Sequence, residues 1–303
     1  MEKNRVVIAS ACFLAAISFS DASAKTVSGC VVGASADCHD MNLSNVNLDG
    51  SSFRGANLNG VKFDGASLKN MDFRAAYFWG APTVVTSLEK TSFKNSDLEG
   101  ADFEVLFNNS AFALNLSSAD FRGANVAGAN FYGANLSGLD LKSTTFIGNA
   151  SHVANLRDVN LNRADMQGVK LNGVTLIAAD LQYANLRGAD FTGATIGDGF
   201  YSGQGNTNLS FADLTNAKLF FNINIGDYLR LHGNVMPINF NGANMNGAYM
   251  LTSWKPYESR FGTDTSAIHW VSNPVPEPET YAMLLAGLGV VGLSLRKRKR
   301  AVH

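Results

Sequence analysis

Charged residues are few in this chain, and neither sign prevails. Only 16% of the 303 residues are Asp, Glu, Lys or Arg, and the formal net charge is −1. Between Lys25 and Pro276 there are 17 basic and 21 acidic side chains, a balance of −4. A nucleic-acid binder needs a basic surface, and a protein that imitates nucleic acid needs a strongly acidic one. The charge balance therefore favours neither class.

The sequence also lacks a recognisable catalytic or metal-binding grouping. Its five histidines are far apart and none has a spacing such as H-E-x-x-H: His39, His152, His232, His269 and His303. Gly197-Asp198-Gly199 opens a glycine-rich segment, but the full dinucleotide fingerprint and its strand–helix unit are absent. We therefore expect a protein that is not an enzyme, with no cofactor and no metal.

Cysteine is scarce, with three residues in the chain. Cys12 lies in the N-terminal segment, whereas Cys30 and Cys38 lie eight positions apart. In an exported protein the default for such a pair is a disulfide, here fastening an N-terminal cap. Two alternatives remain open: lipidation, because Val27-Ser28-Gly29-Cys30 resembles a lipoprotein box, and a metal site with His39, for which a fourth ligand is missing nearby.

Long hydrophobic runs are absent, and the two apolar stretches are short and terminal. Met1–Arg5 is basic and Val6–Phe19 is mostly apolar. Ala22-Ser23-Ala24 then fits the small-x-small pattern of a signal peptide, which predicts cleavage between Ala24 and Lys25 and a signal over 1–24. At about 1.5 Å per residue the apolar stretch is too short to cross a membrane core of about 30 Å comfortably.

What the chain does have is a five-residue repeat. Leu or Phe stands at every fifth position in the first array, as in Leu43, Leu48, Phe53, Leu58, Phe63, Leu68, Phe73 and Phe78. A small or apolar residue comes two positions earlier, and a mainly polar one lies between. A period of five fits neither the helix period of 3.6 nor the strand period of two. Self-similarity over this length indicates a repeat architecture.

The repeat runs from 41 to 250 and divides the chain. Its register breaks near 104–115, 197–208 and 220–237, whereas we interpret Trp79–Ser87 as a degenerate stretch within the array rather than an inserted loop. A solenoid needs covered ends. We therefore expect an N-terminal cap over 25–40 and, over 251–274, a C-terminal cap and linker with several aromatic residues.

These residues resemble the pentapeptide-repeat family, whose pattern is A(D/N)LXX. The resemblance implies an all-β fold, a right-handed quadrilateral β-helix with four pentapeptides per coil. About ten coils at about 4.8 Å each then give a rod of about 50 Å. Residues 20 apart should stack on the same face, so Phe53, Phe73 and Phe93 should form one core ladder. Leu48, Leu68 and Leu88 should form its neighbour.

The C-terminal end has three distinct parts. A proline-containing motif covers 275–280, an apolar helix-length stretch covers 281–295, and a basic stop covers 296–300: Val275, Pro276, Glu277, Pro278 and Thr280, then Arg296, Lys297, Arg298, Lys299 and Arg300. This end resembles the PEP-CTERM sorting tail of Gram-negative bacteria. The resemblance implies recognition by an exosortase, transient membrane anchoring by the apolar stretch, and a host that builds an exopolysaccharide or biofilm matrix.

Together these features predict a secreted, non-enzymatic structural or adhesive β-solenoid of the cell envelope, cell surface or extracellular matrix. Its partners would be the secretion translocon and exosortase during export, and exopolysaccharide or envelope proteins afterwards; no nucleic acid is expected. A polysaccharide-acting β-helix enzyme is the alternative, and a DNA-mimicking topoisomerase inhibitor is a weaker one. Asp120 and Asp140 should lie one coil apart, where a Ca²⁺ site is conceivable, although solvated carboxylates need no metal.

Overall fold

The structure, a computed structural model, describes residues 26–74, 86–104, 114–147, 153–197, 206–223 and 236–272. The signal segment and the whole C-terminal tail, including the predicted short apolar helix, lie outside these ranges. The described backbone winds into a right-handed quadrilateral β-helix in which parallel bridges join successive coils. Each pentapeptide makes one side of the coil and a turn.

The coil follows from the repeat. The core residue and the residue two positions before it point inward, and the core residue's N–H donates to the next coil, as from Leu48 to the carbonyl of Ser67 at 2.9 Å. The N–H of Ser67 in turn donates to Val46 at 2.8 Å. The second residue after the core position usually turns the corner with positive φ, as Gly50 does at 68°, which explains the frequent Gly and Asn.

Regular strands are short and lie near the two ends. The antiparallel pair β1 (Thr26–Val27) and β2 (Cys30–Val31) forms the N-terminal hairpin. Towards the C-terminus β3 pairs with β5, and β4 pairs with β6, which pairs with β7, all parallel. Their bounds are β3 Thr207–Asn208, β4 Lys218–Leu219, β5 Ile238–Asn239, β6 Tyr249–Leu251 and β7 His269–Val271, with a 3₁₀ helix over Thr252–Arg260.

The inward residues form four columns, and we name each face by its column. Face 1 carries Cys38, Leu58, Leu88, Leu116, Leu136, Leu161, Leu181, Leu209, Phe240 and Phe261. Face 2 carries Leu43, Phe63, Phe93, Phe121, Leu141, Met166, Leu186, Leu214 and Met245. Face 3 carries Leu48, Leu68, Leu98, Val126, Phe146, Leu171, Phe191, Leu219 and Met250. Face 4 carries Phe53, Phe73, Phe103, Phe131, Leu156, Leu176 and Ile196.

These columns form one continuous apolar core. Phenylalanines of faces 2 and 4 meet across the axis edge to face, as Phe73 and Phe93 do with centroids 5.9 Å apart and planes at 83°. Fully burying a Leu or Phe side chain contributes about 1.5–3 kcal/mol, so the core is the main source of cohesion. The ten residues described on face 1 agree with the expected ten coils.

The coils are not all of one length. Bridged partners lie 20 residues apart in the ordinary coil, as in Asn42↔Lys62, but five coils are longer. Their bridges are Asn57↔Ser87 at 30, Ser92↔Asp120 at 28, Asn130↔Asn155 at 25, Asp180↔Asn208 at 28 and Asp213↔Asn244 at 31. In each of the five, the additional residues come after face 3 and before face 1 of the next coil.

Two expectations from the sequence are therefore wrong. Asn57 bridges Ser87 at a separation of 30 residues rather than 20, so ten residues between Phe73 and Ser87 are additional to the coil and the array is not continuous there. Ten residues are two pentapeptides, or half a coil, which moves Phe93 to face 2. Phe93 stacks on Phe63 at 5.5 Å, whereas Phe73 on face 4 stacks on Phe53 at 6.3 Å. Leu88 moves to face 1 for the same reason.

The C-terminal segment also differs from the expectation of a non-repeating cap over 251–274. β6 and β7 pair in register 20 residues apart, from Tyr249↔His269 to Leu251↔Val271, so one further coil is completed. The 3₁₀ helix takes the place of face 4 in this coil. Its Trp254 is fully buried and lies 6.0 Å from the ring of Phe221.

Candidate functional surface

The polar residue before each core residue has a structural task. On face 1 the side-chain oxygen of Asn115 accepts the backbone N–H of Ser117 at 3.2 Å, and Asn160 accepts that of Asn162 at 3.0 Å. A hydrogen bond from the backbone N–H two residues later to the side-chain oxygen closes a turn, and Asn and Asp favour this local arrangement. The many Asn and Asp residues at this position are therefore explained by the coil itself.

Face 1 is almost free of charge over six successive coils. The residues that flank its core positions there are amides and hydroxyls with one carboxylate: Asn115, Ser117, Asn135, Ser137, Asn160, Asn162, Asp180, Gln182, Asn208, Ser210, Asn239 and Asn241. Of these, Ser210 is buried and donates its hydroxyl to Asn208. Amides of neighbouring coils hydrogen-bond to one another, as Asn135 Nδ2 does to Asn115 Oδ1 at 3.2 Å. We call these twelve residues the amide face.

Face 2 has the opposite character over the same coils. Seven of its twelve outward positions are charged, namely Asp120, Arg122, Asp140, Lys142, Asp165, Arg187 and Asp213. The other five are Gln167, Asn185, Thr215, Asn244 and Asn246. The charges alternate in sign and pair between coils, with Lys142 Nζ 2.7 Å from Asp165 and Arg187 Nη1 3.1 Å from Asp213. Face 2 is therefore an ion-pair ladder rather than an acidic strip.

Asp120 and Asp140 do lie in one column, but each has a cationic neighbour. Arg122 donates to both oxygens of Asp120, at 2.9 and 2.6 Å, and this contact lowers the pKa of Asp120 to about 2. Lys142 lies 3.6 Å from Asp140. Within the described coils no cluster of three or more His, Cys, Asp or Glu side chains could hold a metal ion. The Ca²⁺ alternative has no geometric support here.

At the N-terminal end Cys30 and Cys38 form a disulfide, with Cα atoms 5.3 Å apart. The bond joins the β1–β2 hairpin to the first core position of face 1. His39 hydrogen-bonds to Asp37 at 2.7 Å. A cysteine in a disulfide has no thiol for a lipid or a metal, so both alternatives for this pair disagree with the structure.

A groove of about 220 Å³ lies at the corner between faces 2 and 3, lined by residues that include Lys142, Thr145, Phe146 and Lys170. Pockets for small molecules usually measure about 300–1,000 Å³. The lining has two lysines but no nucleophile paired with a base. Nothing about this groove favours catalysis.

One feature of the surface was not found from the sequence. Arg163, Tyr183 and Phe211 occupy the second position after the core residue in three successive coils, at the corner between faces 1 and 2. The Arg163 guanidinium lies 5.5 Å from the Tyr183 ring, and the Tyr183 and Phe211 rings stack 5.1 Å apart at 8°. We call these three residues the aromatic ridge. The sequence feature that could have revealed this ridge is a bulky residue at the second position after the core residue, where the repeat mostly has Gly or Asn.

The sorting elements fall outside the described residues. These are the predicted cleavage site at Ala22, Ala24 and Lys25, the motif over 275–280 and the basic stop over 296–300. In the part of the chain that is described, no helix has both the length and the apolar character needed to cross a membrane.

Comparison with known proteins agrees with these features. The family model described as pentapeptide repeats matches in eight copies, at 42–80, 115–148 and 154–193. The model described as PEP-CTERM protein-sorting motif matches residues 274–299. No match is found among curated proteins.

The solved structures that are similar to the chain include the following three. HetL, a pentapeptide repeat protein involved in heterocyst differentiation regulation from the cyanobacterium Nostoc sp. strain PCC 7120, is 24% identical, with 71% of this chain and 83% of that one covered and a TM-score of 0.26. A trypsin-treated variant of QnrB1, a plasmid-mediated fluoroquinolone resistance protein, is 15% identical, with 85% and 96% covered and a TM-score of 0.40. Rfr23 from the cyanobacterium Cyanothece 51142 is 21% identical, with 52% and 85% covered and a TM-score of 0.20.

The repeats, the coiled backbone and the terminal motif agree with one another. A PEP-CTERM motif indicates export to the cell envelope or surface in bacteria, with processing by exosortase. The chain carries pentapeptide repeats and a C-terminal PEP-CTERM sorting motif.

Proposed function

We propose that this protein is a non-enzymatic structural or adhesive rod of the bacterial cell envelope or exopolysaccharide matrix, delivered there by its signal peptide and sorted by exosortase. The observation that carries the proposal is the combination of a filled core with long polar faces. Every described face 1 core residue from Cys38 to Phe261 is buried, so the interior offers no room for a substrate.

The same observation argues against the two alternatives. A polysaccharide-acting enzyme needs paired acidic groups in a cleft, but the carboxylates of face 2 are engaged by lysine and arginine. A DNA mimic needs a markedly acidic face, whereas the charges described on face 2 alternate in sign. A non-enzymatic structural rod requires neither a catalytic cleft nor a surface whose charges all have one sign.

The proposal is tested by deleting the gene and by locating the protein. We expect the protein to be digested by protease added to intact cells, and we expect cells without it to lose matrix cohesion or shed envelope material. A protein that resists protease in intact cells, together with a normal matrix in the deletion strain, would contradict the proposal. Turnover of an exopolysaccharide by the purified protein would instead revive the enzyme alternative.

A further inference from the structure

The aromatic ridge is built at positions that disfavour large side chains. Arg163, Tyr183 and Phe211 have φ of 59°, 58° and 58°, in the left-handed region that suits Gly, Asn and Asp. The chain has glycine at the equivalent positions before and after the ridge, Gly138 and Gly242. Backbone preference therefore does not explain the ridge.

Burial does not explain it either. Tyr183 is 49% exposed and Phe211 is 50% exposed, although both are large and apolar. Their rings stack on each other, so their edges form a narrow apolar strip along the rod. Contiguous exposed apolar surface that serves no core, unlike a single exposed ring, marks a candidate binding surface.

Polar groups with spare hydrogen-bonding capacity border this strip. Each ridge residue directly follows a residue of the amide face, namely Asn162, Gln182 and Ser210. In the described coils the side-chain amides of Asn162 and Gln182 make no hydrogen bond, because the side-chain oxygens that accept the N–H groups of these turns belong to Asn160 and Asp180. Each free amide offers two donors and an acceptor to a ligand.

The backbone around the ridge excludes a peptide strand as the ligand. The N–H groups of Leu181 and Leu209 donate to the next coil, to Asn208 and Asn239 at 2.8 Å each. An added strand needs an open sheet edge, which this side of the rod does not present. Phosphate-rich polymers need clustered Lys or Arg, and Arg163 is the one such residue among the amide face and the ridge.

We propose that the amide face and the aromatic ridge together bind a neutral polysaccharide chain. Sugar rings combine hydroxyl groups, which suit amides, with apolar C–H surfaces, which suit aromatic side chains. The polar pairs recur once per coil over six coils and the ridge over three, so the ligand is a polymer with its own repeat rather than a single sugar. This inference rests on the proposed function, because the ligand must be present where the protein is exported.

The test uses the full chain in mild detergent, electrophoresed through native gels that contain hydroxyethyl cellulose, galactomannan or dextran, with anionic alginate for comparison. The variant is Tyr183→Asn with Phe211→Asn, because asparagine already occupies such corners at Asn95 and Asn216. The matched control is Arg187→Gln, on face 2 of the Tyr183 coil. A second variant, Asn162→Ser with Gln182→Ser, changes the amides alone.

We expect at least one neutral polysaccharide to retard the wild-type protein and Arg187→Gln equally. The Tyr183/Phe211 variant should bind at least about tenfold more weakly with unchanged thermal unfolding, since each ring loses apolar contact with the ligand. The amide variant should also bind more weakly. The inference would be overturned if no neutral polymer retards the wild-type protein or if the protein prefers alginate. It would also be overturned if both variants bind as tightly as the wild-type protein does. If the protein is nevertheless exposed on the cell surface, the proposed function stands without it.

Discussion

The ring of Phe73 stacks on the ring of Phe103, with centroids 4.8 Å apart and planes 4° from parallel. Thirty residues separate the two, so the stack exists only if ten residues between them stand outside the coil. The same register places Asp72 beside Asp102 in a parallel bridge. Every assignment of a residue to face 1 or face 2 beyond this point depends on that register.

Cross-linking tests the register. Bridged residues in neighbouring strands have Cα atoms about 5 Å apart, within the range that a disulfide needs. We expect Asp72→Cys with Asp102→Cys to form a disulfide under oxidising conditions, as detected by peptide mass. Asp72→Cys with Ser92→Cys, which an uninterrupted 20-residue coil would pair, should remain unlinked. The reverse result would show that the ten residues belong to the coil.

The corner glycines differ in how much stability the protein loses when alanine replaces them. An alanine at Gly123 would place its Cβ against the side chain of Asn95 in the preceding coil, whereas at Gly138 no atom lies within 4 Å. Both positions have φ near 70°, which costs alanine about 1 kcal/mol. We expect Gly123→Ala to lower the free energy of unfolding by about 0.5 kcal/mol more than Gly138→Ala, because the exposed Asn95 side chain must also move to a less favoured rotamer.

Urea unfolding of the two variants measures this difference. Replacing Asn95 with Gly removes the obstructing side chain, so in that background the two alanine variants should cost the same. An extra cost of Gly123→Ala that persists without Asn95 would contradict this explanation.

Asp120 should stabilise the fold above its ordinary pKa. The Arg122 guanidinium lowers the pKa of Asp120 to about 2, with further contributions from the Arg122 N–H and from Lys94, whose Nζ lies 3.2 Å away. The carboxylate therefore contributes stability above about pH 4, and this contribution is lost as the pH falls towards 2. We expect Asp120→Asn, which keeps the turn acceptor, to lose about 1 kcal/mol at pH 7, allowing for solvent screening. Unfolding at pH 7 and pH 2.5 checks this; a loss of equal size at both would contradict it.

Asp158 should have the opposite effect. Its side chain is 4% exposed, and burial raises the pKa of the carboxyl group. Tyr132 and Arg157, whose Nε lies 3.5 Å away, lower the pKa and offset this only in part. The charged form is thus disfavoured in the fold, and stability falls as the pH rises through the raised pKa.

We expect Asp158→Asn to raise the free energy of unfolding at pH 7 by about 0.5–1 kcal/mol. Asparagine tolerates the φ of 54° at this position as well as aspartate does. The gain should shrink as the pH falls below the raised pKa, because the wild-type carboxyl is then protonated in the fold. A loss of stability at pH 7 would mean that the carboxylate has a partner that Asn cannot replace.

The five-residue pattern was enough to predict the β-helix, but not where every coil begins. Additional stretches of eight and eleven residues shift the pattern, so the sequence showed them near 104–115, 197–208 and 220–237. The stretches of ten after Phe73 and of five after Phe146 are multiples of the period, so Leu and Phe continue in phase on either side of them. No sequence pattern of period five can reveal such an insertion.

The candidate surface was harder to predict for the same reason. Asn, Ser and Asp recur on all four sides, and the sequence indicated polar faces in general. Whether Asn160 shares a face with Asn115 or with Asp120 depends on the additional residues between coils. The charge contrast between faces 1 and 2 therefore appears only once the register is known, and Tyr183 and Phe211 become neighbours only across an eight-residue insertion.

The central claim is that this rod is exported and sorted, and the molecule's own ends test it most directly. Intact mass and terminal peptides should be measured on protein from cell-surface and medium fractions, with and without the host's exosortase. We predict a mature form that begins at Lys25 and is trimmed near Pro276–Pro278, and we predict that trimming is lost without exosortase. A full-length chain that starts at Met1 and stays inside the cell would contradict the account.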